Sequence, residues 1–294
     1  MKNNSENIIR NYLQLSKLTI MLPVSLSGFT GYFIFNPHFS IKLILVSIGI
    51  LLMAISASAL NQIQEVTLDS KMERTLNRPI PDGRIKINNA IIFTICTLFA
   101  GTYIIYSSGN LLAALIGLFT GLWYNVIYTY LKRITAFAVF PGAITGALPP
   151  LIGWIAAGGG ILDKPVIFIE FLFFTGQIPH FWLLIVRYGE EYNKAGIPAL
   201  TNVLSKDQIN RLTFTWVLTS VIAAMFLCYF EIIRSGLVIG ILLAASVFLI
   251  WKFSALVKSG ADNKNYKKYS TLLDLYFLLV LILLISDRII ETVI

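Results

Sequence analysis

Three oxygen-bearing side chains, Asn61, Glu65 and Asp69, stand four residues apart in the stretch NQIQEVTLDSKMERTLNRPIPDGRI. On a helix that spacing stacks them on one face. Two carboxylates there repel one another unless they share a cation, and a hard ion such as Mg²⁺ accepts such oxygens while keeping open positions for phosphate. Just beyond them Lys71, Arg74 and Arg78 supply donors suited to phosphate, arginine through its planar fork. The set reads as a metal–phosphate platform. An ordinary loop of solvated salt bridges would show the same spacing. Placement favours the platform, because it begins inside an apolar run at membrane depth, where ionisable groups are costly and usually functional. Pro79, Pro81 and Gly83 then end the helix and turn the chain back.

Other polar residues interrupt apolar runs. YTYLKRITAF carries Lys132 and Arg133, which read first as an interfacial anchor and also share the membrane face of the carboxylates. In FPGAITGALPPLIGW, Gly142, Gly146 and Ala147 allow close helix approach, and Pro149 and Pro150 should kink the helix and free carbonyls toward a cavity. FTGQIPHFWLL places Gln177 and His180 three residues apart, on one face, midway through a span. A bond to a neighbouring helix accounts for such a histidine as well as a substrate does. Glu190, Glu191 and Tyr192 follow as a second acidic cluster, which also reads as loop solubilisers, and Asp274 reads as snorkelling near a helix end.

The elements that must position these residues follow from composition. The chain has 294 residues, of which 56% are hydrophobic and 13% charged, and its mean hydropathy is +0.76. That leaves too few polar residues to cover a soluble globule. A span needs about 20 apolar residues, and nine windows qualify: approximately 18–35, 43–60, 90–107, 111–131, 136–157, 165–186, 212–230, 235–251 and 272–286. They are continuously apolar, so the expectation is an all-α polytopic bundle and no β-barrel. With the N-terminus inside, 19 of the 23 basic residues fall in inner segments, leaving Lys42, Lys164, Arg234 and Arg288 outside. The positive-inside rule then puts the C-terminus outside, and the net charge of +8 reports topology, with no nucleic-acid partner implied. The reading is one intramembrane domain over 1–294, with an inner N-terminal segment at 1–17 and two long inner loops, 61–89 and 187–211, where function should sit. Cys96 and Cys228 lie in apolar runs and are expected to be packing residues. No cleavable or transit segment is apparent at the N-terminus, which favours a bacterial cytoplasmic membrane over a mitochondrial one.

At this level of detail the residues resemble a known family. NQIQEVTLDSKMERTLNRPIPDGRI is similar to the first aspartate-rich motif of the UbiA-type intramembrane prenyltransferases, and nine helices with two polar inner loops match that fold over nearly the whole chain. The form NQxxE, then D, then MxRTxxRP looks like the branch that farnesylates protoheme IX, the heme O synthases. YTYLKRITAF, GALPPLIGW, and QIPHFW followed by EYNKAGIPAL support the narrower likeness. Three positions depart. Glu65 stands where many members have aspartate, Glu191 is followed four later by Ala195 where quinone-type members show a second aspartate, and Lys17 is followed by Leu18 where proline is frequent. The missing second carboxylate favours the heme branch.

The resemblance implies transfer of the farnesyl group of farnesyl diphosphate to a vinyl group of heme B, with water supplying a hydroxyl, to give heme O. On it, Asn61, Glu65 and Asp69 hold Mg²⁺, and Lys71, Arg74, Arg78, Lys132 and Arg133 surround the departing diphosphate. Gln177, His180, Glu191 and Tyr192 are expected to bind substrate, His180 by orienting the porphyrin or ligating its iron. Partners are then heme B, farnesyl diphosphate and the lipid bilayer, with association with a heme A synthase or an oxidase assembly left open. Two rivals remain at this stage: a related enzyme prenylating an aromatic quinone precursor, and a secondary transporter, for which buried carboxylates and proline-broken helices would also serve.

Overall fold

The computed structural model describes residues 2–259 and 263–293. Met1, Ile294 and residues 260–262, the last within the expected inner loop between the final two spans, lie outside the described residues. Twelve α-helices follow one another: α1 Lys2–Ser16, α2 Leu18–Phe35, α3 Ile41–Gln64, α4 Val66–Asp69, α5 Ile87–Ser108, α6 Leu111–Leu122, α7 Thr129–Leu131, α8 Val139–Ala156, α9 Lys164–Lys194, α10 Lys206–Tyr229, α11 Gly236–Ser259 and α12 Asn263–Val293. A π-helical stretch, Trp123–Tyr128, joins α6 to α7. Among the described residues nine segments are long and apolar enough to cross a bilayer.

Small residues bring the helices together. Lipid supplies no hydrophobic drive between helices, so their association rests on close van der Waals approach. α2 lies on α8 where Gly28 and Gly31 meet the carbonyls of Pro149 and Pro150, and Gly153 in turn meets the backbone of Gly28. α3 lies on α5 through Gly49 and Gly101 in the same way. The Pro149–Pro150 pair sits inside α8, which runs on through it to Ala156. Polar caps close several ends: Ser40 and Asn110 accept the Leu43 and Ala113 amides, and Ser205 with Gln208 forms a capping box.

The helices exceed the apolar windows, and this changes the loops. α9 continues to Lys194, so the expected loop 187–211 begins as two more helical turns that carry Glu191 and Tyr192. α3 continues to Gln64, which puts Asn61 on its last turn. The N-terminal segment is itself a helix. α1 turns into α2 at Lys17, whose φ of 46° is left-handed. It is tied to α3 by the Gln62 amide donating to the Leu15 carbonyl at 2.7 Å.

Because a Cβ at Gly31 would overlap the Pro150 carbonyl, Gly31→Ala is expected to lower stability by about 1–3 kcal/mol through overpacking. Gly240→Ala, which lies within α11 and meets open space, should not lower it, since alanine is the better helix former. Unfolding of the two variants in detergent by denaturant titration measures the difference.

Candidate functional site

A break in α3 gathers the polar residues. The spacing of Asn61, Glu65 and Asp69 suggests one continuous helical face, but the helix stops at Gln64. Glu65 caps it with φ −111° and ψ 10°, and Asp69 arrives on the separate short helix α4. All three side chains are nevertheless buried. The Asn61 amide donates to Thr129 Oγ1 at 3.0 Å. Glu65 Oε2 accepts from Lys132 Nζ at 2.7 Å, and Asp69 Oδ2 from the Arg78 guanidinium at 2.5 Å. The like-charge repulsion expected for two neighbouring carboxylates is thus relieved by two basic side chains of the chain itself.

The basic residues divide into those inside the set and those outside it. Burial lowers the pKa of Lys132 while the Glu65 charge raises it in opposition, and Asp69 and Arg78 also act on it, so the two ion pairs share one neighbourhood. Lys17 joins them from the α1–α2 turn. Burial first, and then the Arg78 charge, push its pKa down from 10.5 to about 7, and Asp69, Lys132 and Arg74 act on it as well. Arg74 ties the two loops together. Its backbone N–H donates to Glu191 Oε2 at 3.1 Å, its guanidinium donates to the Tyr192 hydroxyl at 3.5 Å and lies 5.0 Å from the Tyr188 ring centre. Tyr192 packs beside Met72, Ala195 and Ile197.

Two expected members stand apart. Lys71 is exposed and its side chain has no partner among the described residues. Arg133 donates to the Gln64 carbonyl at 2.9 Å and lies over the Tyr130 ring, so it caps the end of α3 instead of facing the carboxylates. The Lys132–Arg133 pair therefore splits, one side chain into the site and the other onto a helix end.

The π-helical stretch supplies what the sequence reading missed. Such bulges fit one extra residue into a turn and recur at functional positions. Here Tyr124 and Tyr128 stack at 5.4 Å between ring centres, with Lys132 Nζ 5.3 Å from the Tyr128 ring and Phe181 6.0 Å beyond it. Thr129, which holds Asn61, donates to the Tyr124 carbonyl at 2.9 Å. The signal was present: Tyr124, Tyr128 and Lys132 are spaced four apart. Gly142 admits the Tyr128 ring, since a Cβ there would lie 2.7 Å from it, and Gly146 admits Gln177 at 2.6 Å. His180 makes the bond to a neighbouring helix that its sequence position allows. Its Nδ1 meets Asp274 Oδ1 at 2.7 Å, which also replaces the snorkelling expected of Asp274.

A divalent cation fits this donor set. Glu65 Oε1 is buried with no hydrogen-bond partner, and such an orphaned oxygen normally calls for an ion or water. Among the described residues there is no group of three or more His, Cys, Asp or Glu side chains that could hold a metal. Two carboxylates and an amide would therefore need phosphate oxygens to complete a shell, the usual arrangement for Mg²⁺.

Lys17 is cationic below about pH 7 and neutral above it, so anion affinity should fall as pH rises through that range. Loss of one charge-assisted contact corresponds to about tenfold in affinity. Pyrophosphate titrations of the wild type at pH 6 and pH 8, corrected by those of Lys17→Gln, should show that drop in the wild type alone.

The UbiA prenyltransferase family profile matches residues 22–281. A protein named protoheme IX farnesyltransferase from Bradyrhizobium sp. (strain BTAi1) is 34% identical over 278 residues, 90% of this chain and 86% of that one. Another of that name from Nitratidesulfovibrio vulgaris (strain DP4) is 34% identical over 226 residues, 77% and 79% of the two chains. Among solved structures, that of a digeranylgeranylglyceryl phosphate synthase superposes with a TM-score of 0.76 at 21% identity, covering 96% of this chain and 98% of that one. A UbiA homolog from Archaeoglobus fulgidus bound to GPP and Mg²⁺ gives 0.64 at 16%, covering 93% and 99%. With a nine-span helical fold and a profile match across most of its length, this chain belongs to the UbiA prenyltransferase family.

Proposed function

We propose that the protein transfers the farnesyl group of farnesyl diphosphate to a vinyl group of heme B, forming heme O with a hydroxyl taken from water. The observation that carries the acceptor assignment is the 34% identity, over 90% of the chain, to a protein named protoheme IX farnesyltransferase. The geometry of the site supplies the chemistry.

Release of diphosphate requires that its charge be neutralised as the C–O bond breaks. Arg78 and Lys132, now on Asp69 and Glu65, together with Arg74 and Lys17, would take up the leaving anion by charge-assisted hydrogen bonds. Asn61, Glu65 and Asp69 would hold Mg²⁺, which when bound adds Lewis-acid stabilisation of the diphosphate oxygens. Glu191 positions Arg74 through its backbone, and Tyr192 sits on the same guanidinium. An allylic cation left behind needs surroundings free of bulk water. Tyr124, Tyr128 and Phe181 form an aromatic wall beside Lys132, whose ring faces suit a cation. The terminal vinyl carbon of the porphyrin then bonds to the farnesyl C1, the adjacent carbon takes a hydroxyl from water, and the proton released leaves with the diphosphate. Gln177 and His180 would orient the porphyrin, and the concentration of basic residues at this end of the bundle supports a cytoplasmic mouth.

Expression in bacterial cells lacking heme O, followed by mass analysis of extracted hemes, tests the reading. A heme O mass is expected. A prenylated aromatic acid formed instead from labelled farnesyl diphosphate would contradict it. Asp69→Asn should lower heme O formation at least about a hundredfold, the order for loss of one transition-state charge contact, while the protein remains inserted in the membrane.

A further inference from the structure

Outside the ion-paired mouth, one ionisable pair within the spans, His180 with Asp274, is joined across two helices yet left partly exposed. His180 lies in the middle of α9 and Asp274 in the inner half of α12, as the charge distribution orients the chain. Their side chains are 31% and 54% exposed. An ionisable pair at membrane depth is costly, and where this fold uses an aspartate as a clamp it buries it. Asp287 of the same helix is 0% exposed and accepts the backbone N–H groups of Arg234 and Ser235. The His180–Asp274 pair is held in place, because Gly176, one turn earlier on α9, lets Phe277 of α12 press against the backbone, yet it remains open to a molecule arriving beside it.

A carboxylate on Nδ1 keeps the proton on that nitrogen and leaves the lone pair of Nε2 as a ligand. We propose that Asp274 is the positioning residue that presents His180 Nε2 as an axial ligand to the iron of the heme substrate. This deepens the heme reading above and rests on it. The aromatic side chains give the placement its sense. The His180 ring meets Phe181 at 5.8 Å, Phe181 meets Tyr128 at 6.0 Å, and Tyr128 adjoins Lys132. Iron held at His180 therefore stands at one end of the aromatic wall and diphosphate at the other, with a porphyrin edge directed along the wall toward the allylic carbon. No bond to iron changes in the reaction, so the histidine anchors and orients and does not enter the chemistry.

The test is a titration of the full-length protein in lipid nanodiscs with ferric heme B, read by visible absorption, low-temperature electron paramagnetic resonance and spectroelectrochemistry. The wild type should give a histidine-ligated signature. His180→Ala should lose it and bind heme about 10–100-fold more weakly, and added imidazole should restore the signature, which a misfolded protein would not allow. Asp274→Asn should keep ligation but raise the midpoint potential, because a neutral amide no longer lends imidazolate character to the ligand. An unchanged spectrum in His180→Ala, or an unchanged potential in Asp274→Asn, would overturn the proposal. Heme O formation persisting beside that unchanged spectrum would show that only the ligation is wrong. Absence of heme binding and of heme O in the wild type would remove both.

Discussion

Everything at the charged end of the bundle depends on keeping two carboxylates, Glu65 and Asp69, out of water. An isolated buried carboxylate is too costly to persist in its charged form. Here each has a basic partner, Lys132 and Arg78, and removing one partner of such a pair typically costs about 3–5 kcal/mol. The same energetics make the site responsive. A diphosphate offers Lys132 and Arg78 more negative charge than a single carboxylate does, and a divalent cation offers Glu65 and Asp69 more positive charge than one basic side chain does. On the proposed reading, exchange of partners would keep every charge compensated, with Lys132 and Arg78 passing from the carboxylates to the diphosphate and the carboxylates to the metal.

The bundle is built to hold that arrangement from several sides. The break after Gln64 turns Asp69 in beside Glu65, and the π-helical stretch turns Tyr128 and Lys132 toward them. Arg133 secures the break by donating to the exposed carbonyl end of α3. The left-handed turn at Lys17 brings a further cation from an N-terminal helix that is itself fastened to α3. Small residues on α8 make room for the inward-facing side chains: Gly142 for Tyr128 and Gly146 for Gln177. The proximity of these charged groups thus arises at the ends of the spans and in the turns that join them, held in place by packing between the spans.

Much of this was legible in the amino-acid sequence, and the misses have physical reasons. The span from Leu18 to Phe35 coincides with its window, because apolar length alone defines it. α9 outran its window because Glu190, Glu191 and Lys194 are good helix formers that hydropathy counts as loop. The four-residue spacing of Asn61, Glu65 and Asp69 suggested one continuous helical face, whereas the three are buried on either side of a helix break at Glu65, which leaves no trace in spacing. Lys132 and Arg133 look equivalent in sequence, and only the register of the π-helical stretch sends one inward. The His180–Asp274 contact joins positions 94 residues apart, a pairing that no local pattern encodes.

The partner-exchange account is tested most directly by a diffraction structure of the protein grown with Mn²⁺ and a thio-analogue of farnesyl diphosphate, the metal located by its anomalous signal. The account predicts a manganese peak within coordination distance of Glu65 and Asp69, with Lys132 and Arg78 moved onto the diphosphate. A diphosphate bound elsewhere, or bound with the Glu65–Lys132 and Asp69–Arg78 pairs both intact, would contradict it.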